Sequence, residues 1–417
     1  MIPMFKKTEI IVLLACLVCV TLFFTISINS IALAILLVYC AFGIKPRKII
    51  YVIRNSVILK IVLSYYGMHL LAMLYTTDST AGFFVLEKKA SFLLVPLILP
   101  AVLIDKESAV KFIIRFFSFV GVASGVILVG WAFYKRFALQ DLLAFHFENF
   151  TPFNYVYYAL YFTCASLFVL VEISTAPNKR LGLFASGGLM IYALIILFLV
   201  SSKIGIVSFT LGSVFIFYKS VSLNTVLLFL IFLIAALSLL LVFHKTTRDR
   251  FMDLNKNLEV LHKNKFAYNE PFTGLTLRLV FWKIAVSESW EKGMYLFGAG
   301  TGDAQDFLDA GYAKYNLNAG GFTGWDPHNQ WVYTFVQLGA VGLLLLAGIF
   351  FSGIRQAVIQ PDLQLLSFLL VSFLFCFTES ILETNKGIIF FALFISLFAA
   401  RSLHFSSTHT LPHQKLI

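Results

Sequence analysis

The sequence predicts an all-α polytopic membrane protein: about twelve transmembrane helices and one large, mostly helical external loop. Three observations carry this expectation. Of the 417 residues, 59% are hydrophobic and 13% charged, with a mean hydropathy of +0.88. A soluble domain is about 45–50% apolar and roughly a quarter charged. The apolar residues also gather into runs that, as helix, can cross a hydrocarbon core of about 30 Å. Finally, the basic residues divide unequally between alternate connections, as the positive-inside bias requires.

In chain order the runs are 10–28, 31–44, 57–76, 90–104, 112–134, 155–173, 181–200, 204–219, 223–243, 331–353, 363–378 and 387–404. Asn29-Ser30 and Ser201-Ser202-Lys203 leave little polar sequence between neighbouring runs, so tight hairpins are expected there. Lys6-Lys7 imitates the start of a secretory signal, but no small-residue cleavage site follows, and a retained first span is expected. The organisation is then helices one to nine in 1–243, an external loop over 244–327, helices ten to twelve in 328–404, and a tail over 405–417.

With the N-terminus inside, the inside segments hold 15 Lys/Arg and the short outside connections hold 6. Both termini are therefore expected in the cytoplasm. Most of the net charge of +11 is then topological and does not call for a nucleic-acid partner. All five cysteines lie in apolar runs, so Cys16-x-x-Cys19 reads as buried packing rather than as a redox or metal pair.

The loop is the one long polar excursion, with ten Lys/Arg and ten Asp/Glu. Within it Leu275, Leu279, Trp282 and Ala285 recur at helical spacing, with Arg278 on a neighbouring face. The glycine-rich "GAGTG" that follows has no strand before it, so a tight turn between helices is expected in place of a nucleotide loop. Asp303 is a candidate N-cap for a second helix.

Polar residues where water meets lipid are candidates for function. His328-Asn329 stands at the mouth of the tenth run, and Gly339 and Gly342 lie further along it. Lys203 sits where two runs meet, almost without a polar loop, and a charge there needs a polar cavity, a partner or an interface to reach. Lys88-Lys89 faces outward and can meet phosphate or anionic lipid. Glu379 and Glu383 mark the outer end of the eleventh run, where they orient a sugar or pair with a cation. Phe150, Tyr155, Tyr157, Tyr158 and Tyr161 are expected in an interfacial aromatic belt.

His-Asn, nine residues, then Gly-x-x-Gly resembles the signature of the O-antigen ligase superfamily, which also holds O-antigen polymerases and some protein O-oligosaccharyltransferases. The segment "RLVFWKIAVSESWEKGMYLFGAGTG" resembles that family's Arg-x-x-x-Trp…Gly-x-Gly-x-Gly stretch, through Arg278, Trp282, Gly298, Gly300 and Gly302. The resemblance spans mainly residues 190–390. It implies a glycosyltransferase C-like fold in the bacterial inner membrane, with its active site on the periplasmic side. The implied donor is a glycan on undecaprenyl diphosphate, and the acceptor is a hydroxyl of lipid A–core or another glycan. The reaction would invert the anomeric carbon and use no metal or other cofactor.

Carried residue by residue, the resemblance makes His328 the base and Arg278 one of two cations for the diphosphate. The other falls at Lys203 in "SSKIG", where arginine is common in the family; lysine lacks the guanidinium fork. Asn329, Trp282, Gly339, Gly342, Lys89 and Glu379 are the further substrate-binding candidates, with the glycine face offered to the polyprenyl tail. Nearby cations are expected to keep His328 unprotonated. The alternatives are a polymerase or O-oligosaccharyltransferase of the same superfamily and, from another class, a lipid-linked oligosaccharide flippase or transporter. The chain shows no half-to-half repeat of the kind transporters carry.

Overall fold

The computed structural model describes residues 7–141, 144–145, 154–175, 179–220 and 257–409. Among these residues it contains fifteen α-helices and no strand. Eleven of the expected runs fall on helices: α1 (Lys7–Thr21), α2 (Ile26–Ala41), α4 (Val57–Ala72), α6 (Ser91–Leu103), α7 (Glu107–Ala138), α8 (Tyr155–Ser174), α9 (Lys179–Leu199), α10 (Lys203–Ser220), α13 (Gln330–Ile359), α14 (Leu363–Phe375) and α15 (Asn385–His409). The run at 223–243 lies outside the described residues. Two helices fall in segments expected to be connections, α3 (Pro46–Asn55) and α5 (Ser79–Lys89). Two more, α11 (Gly274–Glu291) and α12 (Ala304–Lys314), lie in the loop.

The chain is a membrane protein built of apolar helices. Five helices among the described residues (α7, α8, α9, α13 and α15) are long and apolar enough to cross a bilayer unaided, and α4, α10 and α14 are shorter apolar helices. Helices α2 and α3 together would make a further span, but they bend by 112° where they meet.

Helix ends follow from side chains that take up the orphan backbone groups. Ser56, Asp78, Asn154, Thr273, Asn329 and Asp362 each accept a backbone N–H at the start of a helix. The first run is shorter than its apolar sequence suggests. Helix α1 ends at Thr21 because other groups take its last carbonyls. Asn29 Nδ2 donates to Val18 (3.2 Å), and Lys386 Nζ donates to the carbonyls of Thr21 (3.1 Å) and Leu22 (2.8 Å). Asn29, expected in a hairpin, is instead a buried residue inside α2.

The core centres on α8 and α15. Phe390, Phe394 and Phe398, about one turn apart on α15, meet Phe117 of α7, Phe168 of α8 and Phe368 of α14; the Phe117–Phe394 centroids lie 4.6 Å apart. The expected aromatic belt is also part of this core. Tyr157, Tyr158 and Tyr161 are buried, and Tyr161 packs on Phe390. Phe150, expected in the same belt, lies outside the described residues. Residues 257–327 form a smaller core of their own, with Val280, Phe281, Ile284 and Ala285 of α11 against Leu308 and Tyr312 of α12. The apolar face of α11 is thus offset from the expected one: Leu275, Leu279 and Trp282 are only half-buried.

Helix α13 is broken at Gly339, whose φ of 63° and ψ of −159° are not helical. The glycine-rich segment of the loop fills the break. Ala299 and Gly300 donate to the carbonyls of Val336 (2.7 Å) and Gln337 (3.1 Å), while Ala340 and Val341 donate to those of Tyr295 (2.8 Å) and Leu296 (3.3 Å). Backbone groups released by the kink are thereby satisfied, as an apolar environment demands.

Candidate functional site

The site forms where α11 and the C-terminal end of α14 meet the entry to α13. Asn329 caps α13, its Oδ1 accepting from the backbone of Trp331 (2.9 Å) and Val332 (3.1 Å). His328, just before the cap, has a left-handed φ of 48°, and its N–H donates to Asp326 Oδ1 at 3.1 Å. A non-glycine residue in that region costs of order 1–3 kcal/mol and persists only where its surroundings fix it. They do so here: from α11, Trp282 Nε1 donates to the Pro327 carbonyl at 2.7 Å.

One turn before Trp282, Arg278 donates from Nη2 to Glu379 Oε1 at 2.9 Å. The other oxygen of Glu379, Oε2, is 3.1 Å from His328 Nδ1. Glu379 therefore bridges the guanidinium and the imidazole. With Nδ1–H donated to the carboxylate, Nε2 is left as the lone-pair nitrogen. No described residue bonds Nε2.

A cavity of about 650 Å³ is lined by His328, Arg278, Glu379 and Trp325 together with Ser202 and Lys203. Lys203 is the first residue of α10, after a turn in which Ser201 is left-handed (φ 58°) and Ser202 Oγ accepts from Gly205 at 3.2 Å. The amino end of α10 thus faces the same space, and its partial positive charge adds to the two cations.

The electrostatics correct one expectation. Burial, the largest single effect on His328, disfavours its charged form. The Glu379 hydrogen bond and the charges of Asp326 and Glu379 outweigh it, with Arg278 opposing, so the imidazole pKa lies above its ordinary value. The adjacent acids dominate, not the cations.

The other sequence candidates are placed elsewhere. Lys89 is fully buried; its Nζ donates to Glu383 Oε1 (2.6 Å) and the Leu382 carbonyl (3.0 Å), and Gln330 Nε2 reaches the same Glu383 oxygen at 2.9 Å. Gly339 and Gly342 are buried and outside the cavity lining. A Cβ on Gly339 would meet Leu296 C and O at 2.3 Å. Asn329 and Trp282 hold the backbone on either side of His328. Asp303 stands at the N-cap position of α12 as expected, but its carboxylate makes no cap bond; it accepts from Thr77 (2.7 Å) and Asp78 (2.8 Å) and ties the loop to the turn before α5. Two neighbours of the imidazole have no signal in the sequence pattern: Asp326, two residues from His328, and Trp325, whose ring meets the imidazole edge-on at 6.0 Å.

Among the described residues, no group of three His, Cys, Asp or Glu side chains is arranged to hold a metal. What the arrangement can do is accept a proton at Nε2 beside two cations and a helix amino end that stabilise departing negative charge.

Residues 188–347 match the family model described as O-Antigen ligase. The matched stretch includes Lys203, Arg278, Trp282, Gly298, Gly300, Gly302, His328, Asn329, Gly339 and Gly342, and it ends before Glu379. No curated protein matches the chain.

Proposed function

We propose that this chain, a member of the O-antigen ligase superfamily through residues 188–347, is a glycosyltransferase that moves a glycan from undecaprenyl diphosphate to an acceptor hydroxyl, of lipid A–core or a similar glycan. Transfer would take place on the periplasmic side of the bacterial inner membrane, with both termini cytoplasmic. One observation carries the reading: a carboxylate-oriented imidazole with an open Nε2 shares one cavity with Arg278 and Lys203.

In the proposed step the acceptor hydroxyl attacks the anomeric carbon from the face opposite the diphosphate, and His328 Nε2 takes its proton as the new C–O bond forms. The bond from the anomeric carbon to the diphosphate oxygen breaks, and its electron pair leaves with the diphosphate. Arg278 and Lys203 offset that charge in a partly desolvated site, where fixed cations act more strongly than in water. Glu379 stabilises the imidazolium through Nδ1 and, through Arg278, couples acid–base and leaving-group machinery. Attack from the opposite face inverts the anomeric carbon.

The test is reconstitution. Purified protein in lipid is given a defined undecaprenyl-diphosphate glycan with lipid A–core, and the products are resolved by mass. A joined glycan–lipid A–core product supports the reading; intact donor and acceptor, under conditions where the protein is monodisperse, count against it. A product in which one donor glycan is extended by another would instead identify the polymerase activity of the same superfamily.

A further inference from the structure

The end of the molecule remote from the catalytic cavity holds a second, differently built space. A groove of about 450 Å³ lies between α4, α13 and α15, walled by Ile58, Ile61, Phe351 and Leu403, with Ser56 and Arg355 at its polar end. Arg355 lies near the far end of α13, past the break at Gly339, while Asn329 caps its start, so the groove is assigned to the opposite leaflet.

Arg355 lines the groove, and two further cations, Arg54 and Lys60, stand next in sequence to the lining residues Asn55 and Ile61. All are exposed, and no described residue pairs with any of them. Their surroundings are depleted of acid. Residues 10–77 contain five Lys/Arg and no Asp or Glu, and 327–361 contain no Asp or Glu. A neighbouring cleft at the same end is charged but neutralised, since Arg401 pairs with Asp362, Arg115 with Glu172 and Lys111 with Glu107. Arg355, which lines the groove, has no such partner among the described residues.

Helix α3 accounts for how the cations reach the membrane surface. It turns 112° from α2, and its sequence places Arg47, Lys48 and Arg54 at its two ends around the apolar stretch Ile49–Ile53. That is the pattern of a helix lying in the interface plane. Lys60 sits one turn into α4 and is exposed, and a lysine there can extend its ammonium to the headgroup level.

We propose that the groove is a binding site for an anionic phospholipid, with the phosphate among Arg54, Lys60 and Arg355 and one acyl chain along Ile58, Ile61 and Phe351. Charge complementarity selects the occupant. A zwitterionic lipid brings its own cation to the phosphate, whereas unpartnered cations in an apolar setting favour a net negative headgroup.

The test is native mass spectrometry of the full chain, after equilibration with phosphatidylglycerol and phosphatidylethanolamine of identical acyl chains. The parent should retain phosphatidylglycerol in preference. Each of Arg54→Gln, Lys60→Gln and Arg355→Gln should weaken that preference about fivefold, the effect of one basic residue at an anionic surface. Gly348→Leu keeps every charge and fills the groove, because a Cβ there meets Ile61 only at 3.4 Å or beyond; it should abolish retention of both lipids. Equal retention of the two lipids by the parent overturns the proposal. So does a preference unchanged in the three charge variants, or one that survives Gly348→Leu. The single variants are surface changes, which keeps the test open should a combined variant fail to fold.

Discussion

Glu379 Oε2 stands 3.1 Å from His328 Nδ1, across 51 residues of sequence and between the end of one helix and the start of another. This contact leaves Nε2 as the free imidazole nitrogen and, together with the charge of Asp326, raises the imidazole pKa against burial. It also fixes how transfer should respond to pH.

The base must be neutral to accept a proton. Because the folded-state pKa of His328 is raised, the neutral form is lost as pH falls through that raised value, and kcat/KM should fall with it. Glu379→Gln removes the carboxylate hydrogen bond and one of the two charges that raise the pKa, leaving Asp326 alone against burial and Arg278. The acidic limb of the pH profile should therefore move to lower pH in the variant, while the maximal rate drops because the imidazolium loses its counter-charge. A profile whose limb stays in place would separate Glu379 from proton transfer.

Arg278 should act on the leaving group more than on acceptor binding. Arg278→Ala is expected to lower kcat by roughly 10²–10³, the usual cost of removing one preorganised charge-stabilising group, with a smaller change in acceptor KM. Arg278→Lys should recover part of the rate, since a point charge returns without the bidentate fork. Steady-state kinetics on defined donor decide this. A change confined to acceptor KM would refute it.

The site's frame depends on the break in α13. Gly339→Ala places a Cβ 2.3 Å from the backbone of Leu296, in a left-handed conformation, and should cost more than about 3 kcal/mol by strain and overpacking together. Gly348→Ala, where a Cβ makes only ordinary contact with Ile61 at 3.4 Å, should be close to neutral. Thermal unfolding of both variants in detergent provides the comparison, and equal midpoints would show that the kink is not needed.

Lys89 and Glu383 form a buried pair beside Gln330, the first residue of α13. Lys89→Met alone strands the carboxylate and should destabilise by about 3–5 kcal/mol, while Lys89→Met with Glu383→Gln should cost less than the single change. A double variant as unstable as the sum of the singles would show no coupling between them.

Much of the fold was readable because apolar length and period are local properties. Every expected run within the described residues carries a helix. Helix limits were less readable, because they are set by distant partners. Asn29 looks like a turn residue until Val18 and Lys386 are placed beside it and beneath the end of α1. The site divided in the same way. His328 and Lys203 were legible as polar residues at the ends of apolar runs, and Arg278 through the loop segment that resembles the family's. The pairing of Glu379 with Arg278, 101 residues away, has no periodic signature. Nor could spacing show that Gly298 and Gly339 belong to one interlocked backbone crossing, or that two acids outweigh the cations around His328.

The most direct test of the central claim is the single-turnover rate of glycan transfer by His328→Ala, measured beside the parent with saturating donor and acceptor. Loss of the general base should slow transfer by about 10²–10⁴, with donor binding retained because Arg278 and Lys203 are intact. Transfer at the parent's rate would contradict the assignment of His328 as the base.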